Sequence, residues 1–126
     1  MPGRSGVIRP RPSNRRTLAL GRLRTGEQNK TEAEYGRILE ARKQTGEIAW
    51  YAFEGITFKL AADTRYTPDF AVMLTSGEME MHEIKGRWMD DAKVKIKVAA
   101  DKFPFRFIAV YKLNKKDGGG WRYEPY

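Results

Sequence analysis

The sequence predicts one α/β (α+β) domain, a mixed β-sheet flanked by helices, behind a basic N-terminal arm. Three observations predict it. A helical period over residues 29–44 gives way to runs of β-branched and aromatic residues, then to a second helix-length segment and a further strand-like run. That α, β-meander, α, β order is the pattern of a sheet with helices packed on it. With 126 residues, 40% of them hydrophobic, the chain can bury one core but not two. Its net charge of +8 is concentrated at one end, where residues 1–28 hold seven arginines and one acid, Glu27, for +6.

Residues 1–28 are rich in Gly, Pro and Ser and have no sustained apolar period, so they cannot offset their own ordering entropy. They read as an arm, and residues 29–126 as the domain. As a bare sequence the arm is either a solvated tail or a polyanion-binding segment, with Arg15, Arg16, Arg22 and Arg24 as candidate DNA contacts that displace counterions from phosphates. Leu18-Ala19-Leu20-Gly21 falls short of the roughly 7–15 apolar residues of a secretory signal. No run approaches the roughly 20 apolar residues of a membrane span. With no cysteine there is neither a disulfide framework nor a thiolate zinc site, so a soluble, cytoplasmic protein with no membrane partner is expected.

The first element is a helix over residues 29–44. Asn29 can cap it, Glu32 stands where a capping box needs an acid, and Gly46 ends it. Tyr35, Ile38, Leu39 and the stem of Arg42 form its core stripe, flanked by Glu32 on one side and Glu34 on the other. Residues 48–60 read as one or two strands interrupted near Gly55. Thr67–Leu74 and Glu78–Lys85 read as a β-hairpin around Thr75-Ser76-Gly77. In residues 89–102, Val94, Ile96 and Val98 alternate with Lys93, Lys95 and Lys97 as in a strand, but Asp90-Asp91 and Phe103-Pro104 mark helix boundaries, and these favour a helix. Phe105–Leu113 is a further strand, Gly118-Gly119-Gly120 turns the chain, and Trp121–Tyr126 adds a short edge strand.

The hairpin carries the chemistry. Metal-assisted phosphodiester hydrolysis needs hard oxygen ligands around Mg²⁺, which takes only one or two carboxylates from a protein. Side chains alternate along a strand, so Glu83 and Lys85 share a face, while Ile84 points away and offers its backbone carbonyl as a ligand. Register supplies a test. With a three-residue loop and Gly77 left-handed, Leu74 opposes Glu78 and Asp69 opposes Glu83; a two-residue turn sets Asp69 against Ile84, on the wrong face unless a bulge intervenes. Taken singly, Asp69 reads sooner as a turn residue opening a strand, and Glu83 with Lys85 sooner as a solvated charged ladder. His82 alternates away from Glu83 and reads as structural. Trp88 reads as a base-stacking residue or a core anchor.

The run Tyr66-Thr67-Pro68-Asp69-Phe70, the turn, and His82-Glu83-Ile84-Lys85-Gly86, between an acid-bearing helix and a Lys-rich helix, resembles PD-(D/E)XK nucleases. More narrowly it is similar to small phage and prophage endonucleases related to junction-resolving enzymes. The resemblance covers about residues 29–112 and is densest in 66–87. It implies a restriction-endonuclease-like fold and a Mg²⁺-dependent endodeoxyribonuclease, with Mn²⁺ as substitute, in a bacterial host's cytoplasm. Asp69, Glu83 and the Ile84 carbonyl would hold the metal, Lys85 would orient the attacking water, and Glu32 would complete the site through a water. The helix departs from the family's Ser-x-x-Glu-Ala-Glu, with Asn29 where the serine stands; the match points to Glu32, while the helical wheel treats Glu32 and Glu34 alike. Lys93, Lys95 and Lys97 are candidate phosphate contacts or a solvated face. Branched DNA such as a Holliday junction is the expected substrate by analogy, and paired cuts imply a homodimer. The alternatives are a non-catalytic basic nucleic-acid-binding protein and a phage structural or inhibitory protein.

Overall fold

A computed structural model describes residues 28–85 and 90–126. Arg15, Arg16, Arg22 and Arg24 of the arm, and Gly86 and Trp88 after the hairpin, lie outside the described residues.

Helix α1 spans Lys30–Gln44. Its start is fixed by a reciprocal pair: the Glu32 N–H donates to the Asn29 side chain at 2.7 Å, and the Asn29 N–H donates to Glu32 Oε1 at 2.9 Å. A cap of this kind stabilises a helix by about 1 kcal/mol. Its end is a Schellman turn, in which the Glu47 and Gly46 N–H groups donate to Arg42 and Lys43, with Gly46 left-handed at φ 87°. The amphipathic stripe is as expected, with Tyr35 and Leu39 buried and Ile38 packed beside them.

The strands are β1 (Ile48–Phe53), β2 (Phe58–Ala61), β3 (Thr64–Tyr66), β4 (Phe70–Leu74), β5 (Met79–Lys85), β6 (Arg106–Lys112) and β7 (Trp121–Pro125), with helix α2 (Asp90–Lys102) between β5 and β6. Five strands form one mixed sheet in the order β1-β4-β5-β6-β7, in which only the β5–β6 pair is parallel, and β2 and β3 form a separate hairpin. Both faces of the large sheet are covered. On one, Phe70, Val72, Ile84, Ile108 and Val110 pack against Tyr35 and Leu39 of α1. On the other, Ala71, Met81 and Phe107 pack against Ile96 and Ala99 of α2 and against Phe58, Leu60 and Tyr66 of the small hairpin.

Helical geometry settles the ambiguous segment. Ile96 and Ala99, three apart, turn inward, while Val94 and Val98 stay exposed. The β4–β5 connection is the three-residue loop: the Leu74 N–H donates to Glu78 O at 2.9 Å, the Gly77 N–H to Leu74 O at 2.8 Å, and Gly77 is left-handed at φ 98°. Two details differ from expectation. The 48–60 segment does form two strands either side of Gly55, but β3, the three-residue partner of β2 with Arg65 exposed, was not foreseen. The strand expected from Thr67 begins at Phe70, because Pro68 has no N–H to give a ladder. Among the described residues no helix is long and apolar enough to cross a membrane.

Candidate active site

Strand β5 is central and covered on both faces, so each of its charged residues has to be partnered. Glu80, His82 and Ile84 point toward α1; Met81, Glu83 and Lys85 point toward α2. On the α1 side, His82 Nδ1 pairs with the Tyr35 hydroxyl at 2.8 Å, His82 Nε2 with Glu80 at 3.0 Å, and Glu80 with Arg106 at 3.3 Å. The hydrogen bond from His82 holds the Glu80 carboxyl below the usual carboxylate range. His82 is thus buried on the face away from Glu83, between Tyr35 and Glu80.

On the other side, the ladder pairs Ala71 with Met81 and Phe70 with His82 and ends there; counted one step further, Asp69, in the bend before β4, falls level with Glu83.

The ladder ends at Phe70 and His82, and Pro68, two residues before Phe70, has no N–H to extend it. The Ile84 N–H instead donates to Asp69 Oδ2 at 2.7 Å. The Asp69 carboxylate thus takes up an N–H of β5 just where the ladder stops. On the far side, the Glu54 N–H donates to the Asp69 backbone carbonyl at 2.7 Å, with Glu54 left-handed at φ 50° as the chain leaves β1.

Both oxygens of Glu83 are held. Oε1 accepts from the Tyr66 hydroxyl at 2.7 Å, and Oε2 lies 3.3 Å from Lys85 Nζ, with the Lys85 side chain only 9% exposed. Glu32, from the first turn of α1, lies close enough to act on both hairpin acids. Burial, then repulsion from Glu83 and Glu32, pushes the Asp69 carboxyl up to about 9. Burial also raises Glu83, against the pull of Lys85 and the Tyr66 hydroxyl. A buried group of acids that resists ionisation is a place where a dication lowers the energy.

Of the sequence-predicted residues, the structure brings Glu32, Asp69, Glu83, Lys85 and the Ile84 backbone together. Glu34 is elsewhere, bonded to Lys112 Nζ at 2.7 Å. Lys93 and Lys97 are exposed on α2 and Lys95 is half-buried; in a helix Lys95 falls on a different face, so the three form no single row. Tyr66 was not anticipated. Its one sequence signal is its place three residues before Asp69, in a strand too short to recognise.

Among the described residues no group of three or more His, Cys, Asp or Glu side chains forms a ready metal cage. Asp69 and Glu83 offer hard carboxylate oxygens, the type of ligand Mg²⁺ takes one or two at a time while keeping several waters. No protein-family model matches the chain, and no curated protein or solved structure matches it either.

Tyr66→Phe keeps the packed ring and removes the bond to Glu83. A hydrogen bond to a charged group contributes about 1.5–3 kcal/mol, so any metal-dependent activity should fall at least about tenfold, with a higher Mg²⁺ requirement. A Mg²⁺ titration of the rate checks this, and an unchanged rate and midpoint would mean that Tyr66 does not position Glu83.

Proposed function

We propose that this protein is a Mg²⁺-dependent endonuclease that hydrolyses phosphodiester bonds of DNA. The observation that carries the reading is the buried pair of acids just past the end of the β4–β5 ladder, where Asp69 accepts from the Ile84 N–H and Glu83 is held by Tyr66 and Lys85. Asp69, Glu83 and the Ile84 carbonyl would hold the metal. When bound, Mg²⁺ would supply a positive charge against the phosphate oxygens and acidify a water.

The chain's own residues do the rest. Lys85, kept on Glu83 by a 3.3 Å contact, presents an ammonium where it can orient the attacking water and stabilise charge on the phosphate. Tyr66 fixes the Glu83 carboxylate against rotation. Glu32 is anchored by the N-cap of α1 and can accept a hydrogen bond from a water in the site. The arginines of residues 1–28 supply general attraction to the phosphate backbone. Structure-selective cutting of branched DNA by a homodimer, in a phage or prophage setting, is the finer form of the proposal and rests on the family resemblance.

The test is a panel of four-way junction, flap, single-stranded and duplex DNA incubated with Mg²⁺ or with chelator. Cleavage that requires Mg²⁺ is expected, with the junction cut fastest. Tight, salt-sensitive binding with no cleavage under any divalent metal would favour a non-catalytic binding protein instead.

A further inference from the structure

The sheet face that carries Glu83 and Lys85 continues across β6 and β7. Pairing sets Lys85 beside Tyr111 and Tyr111 beside Arg122, so these three form one row; the adjacent row runs Glu83, Ala109, Glu124. The guanidinium carbon of Arg122 lies 4.0 Å from the centroid of the Tyr111 ring. That ring is itself anchored, because the Tyr111 hydroxyl donates to Glu124 Oε1 at 3.0 Å, and the Tyr126 hydroxyl donates to the same oxygen at 3.4 Å. An exposed arginine usually samples many rotamers, and stacking on a fixed ring narrows that set while leaving the N–H edges toward solvent. Arg122 is exposed and forms no ion pair with a described carboxylate. The charge of Glu124 is meanwhile engaged by two hydroxyl donors.

Neighbouring strands are about 4.8 Å apart, which places β7 roughly 9–10 Å from β5. A nucleic-acid strand covers that distance in about three nucleotides of axial rise. We propose that Arg122, stacked on Tyr111, is a subsite for a backbone phosphate of the substrate strand, flanking the phosphate that lies over Asp69, Glu83 and Lys85. Its register with the reacting phosphate rests on the nuclease reading, and phosphate capture by Arg122 does not. Arg122 is a positioning residue: it binds the strand and touches no reacting atom. Tyr111 and Glu124 act through it.

The experiment measures DNA binding by the full chain carrying Asp69→Ala, with and without Arg122→Ala, over a range of salt and with a neutral methylphosphonate linkage moved along the strand. The arginines of residues 1–28 contribute equally to both proteins, so the difference isolates Arg122. Loss of Arg122 should weaken binding about three- to tenfold and reduce the slope of log affinity against log salt by about one. Arg122→Lys should restore the slope but not the full affinity, since an ammonium lacks the planar stack. One linkage position should weaken binding when neutral in the Arg122 protein and have no effect in Arg122→Ala. Unchanged affinity and slope in Arg122→Ala, or equal sensitivity of both proteins at every linkage, overturns the subsite. The nuclease reading fails by a different sign: Asp69→Ala cutting DNA at the wild-type rate, or the wild type cutting none, whatever Arg122 does.

Discussion

Asp69→Asn is expected to melt well above the wild type at alkaline pH without divalent metal, and to converge with it near pH 4. Burial, then repulsion from Glu83 and Glu32, raises the Asp69 carboxyl to about 9, and the Ile84 N–H bond is too weak a counterweight. An acid whose native pKa lies above its unfolded value keeps a proton in the native state that the unfolded chain has already released. Stability therefore falls as pH rises between about 4 and about 9, by at most about 1.4 kcal/mol per unit. Asparagine does not titrate, its Oδ1 can still accept from Ile84, and its amide can donate to a neighbouring carboxylate. A difference of even about 2 kcal/mol shifts the melting temperature of a domain this size by roughly 10 °C. Metal competes with the proton for the same oxygens, so Mg²⁺ should stabilise the wild type more at pH 8 than at pH 5, and Asp69→Asn much less at either. Thermal melts by circular dichroism across this range check it. A flat wild-type profile, unaltered by Asn, would show that the carboxylates are not opposed as described.

Lys85→Met is expected to lower the single-turnover cleavage rate by about 10²–10⁴, the range for removing a positioned proton-transfer or charge-stabilising group. Methionine fills the volume of the lysine stem in this covered strand, whereas alanine would add a cavity. Removing the ammonium from beside Glu83 leaves that carboxylate to take up a proton, so the metal requirement should rise as well. Lys85→Arg should recover little, because a planar fork does not reproduce a compact ammonium 3.3 Å from Glu83. DNA binding should change far less than the rate. Cleavage within tenfold of wild type in Lys85→Met would remove Lys85 from the chemistry.

Much of this arrangement was legible in the sequence, because it depends on local rules. The three-residue loop with Gly77 left-handed was one of two turns the sequence allowed, and its register, counted past Phe70, sets Asp69 level with Glu83. The capping box at Asn29 and the stripe of α1 are local in the same way. What escaped depends on residues distant in sequence. The helical wheel treats Glu32 and Glu34 alike, and the distinction comes from Lys112, 78 residues beyond Glu34, which occupies one of them. Tyr66 reaches Glu83 only because a short, weakly patterned hairpin folds over the sheet. Arg122 joins the row of Lys85 only through the pairing of three strands. The alternation of Lys93, Lys95 and Lys97 suggested a common face, and the helical period separates Lys95 from the other two. Pro68 drew notice as a strand opener, while the bond from the Ile84 N–H to Asp69 emerges only in the folded chain.

The central claim is that Asp69, Glu83 and Lys85 form a metal-dependent site for cutting DNA. Single-turnover cleavage of the preferred substrate with Mg²⁺, wild type beside Asp69→Ala, tests it most directly. The account predicts a loss of about 10³-fold or more in Asp69→Ala, with a native circular dichroism spectrum and DNA binding retained. Cleavage by Asp69→Ala at the wild-type rate would contradict it.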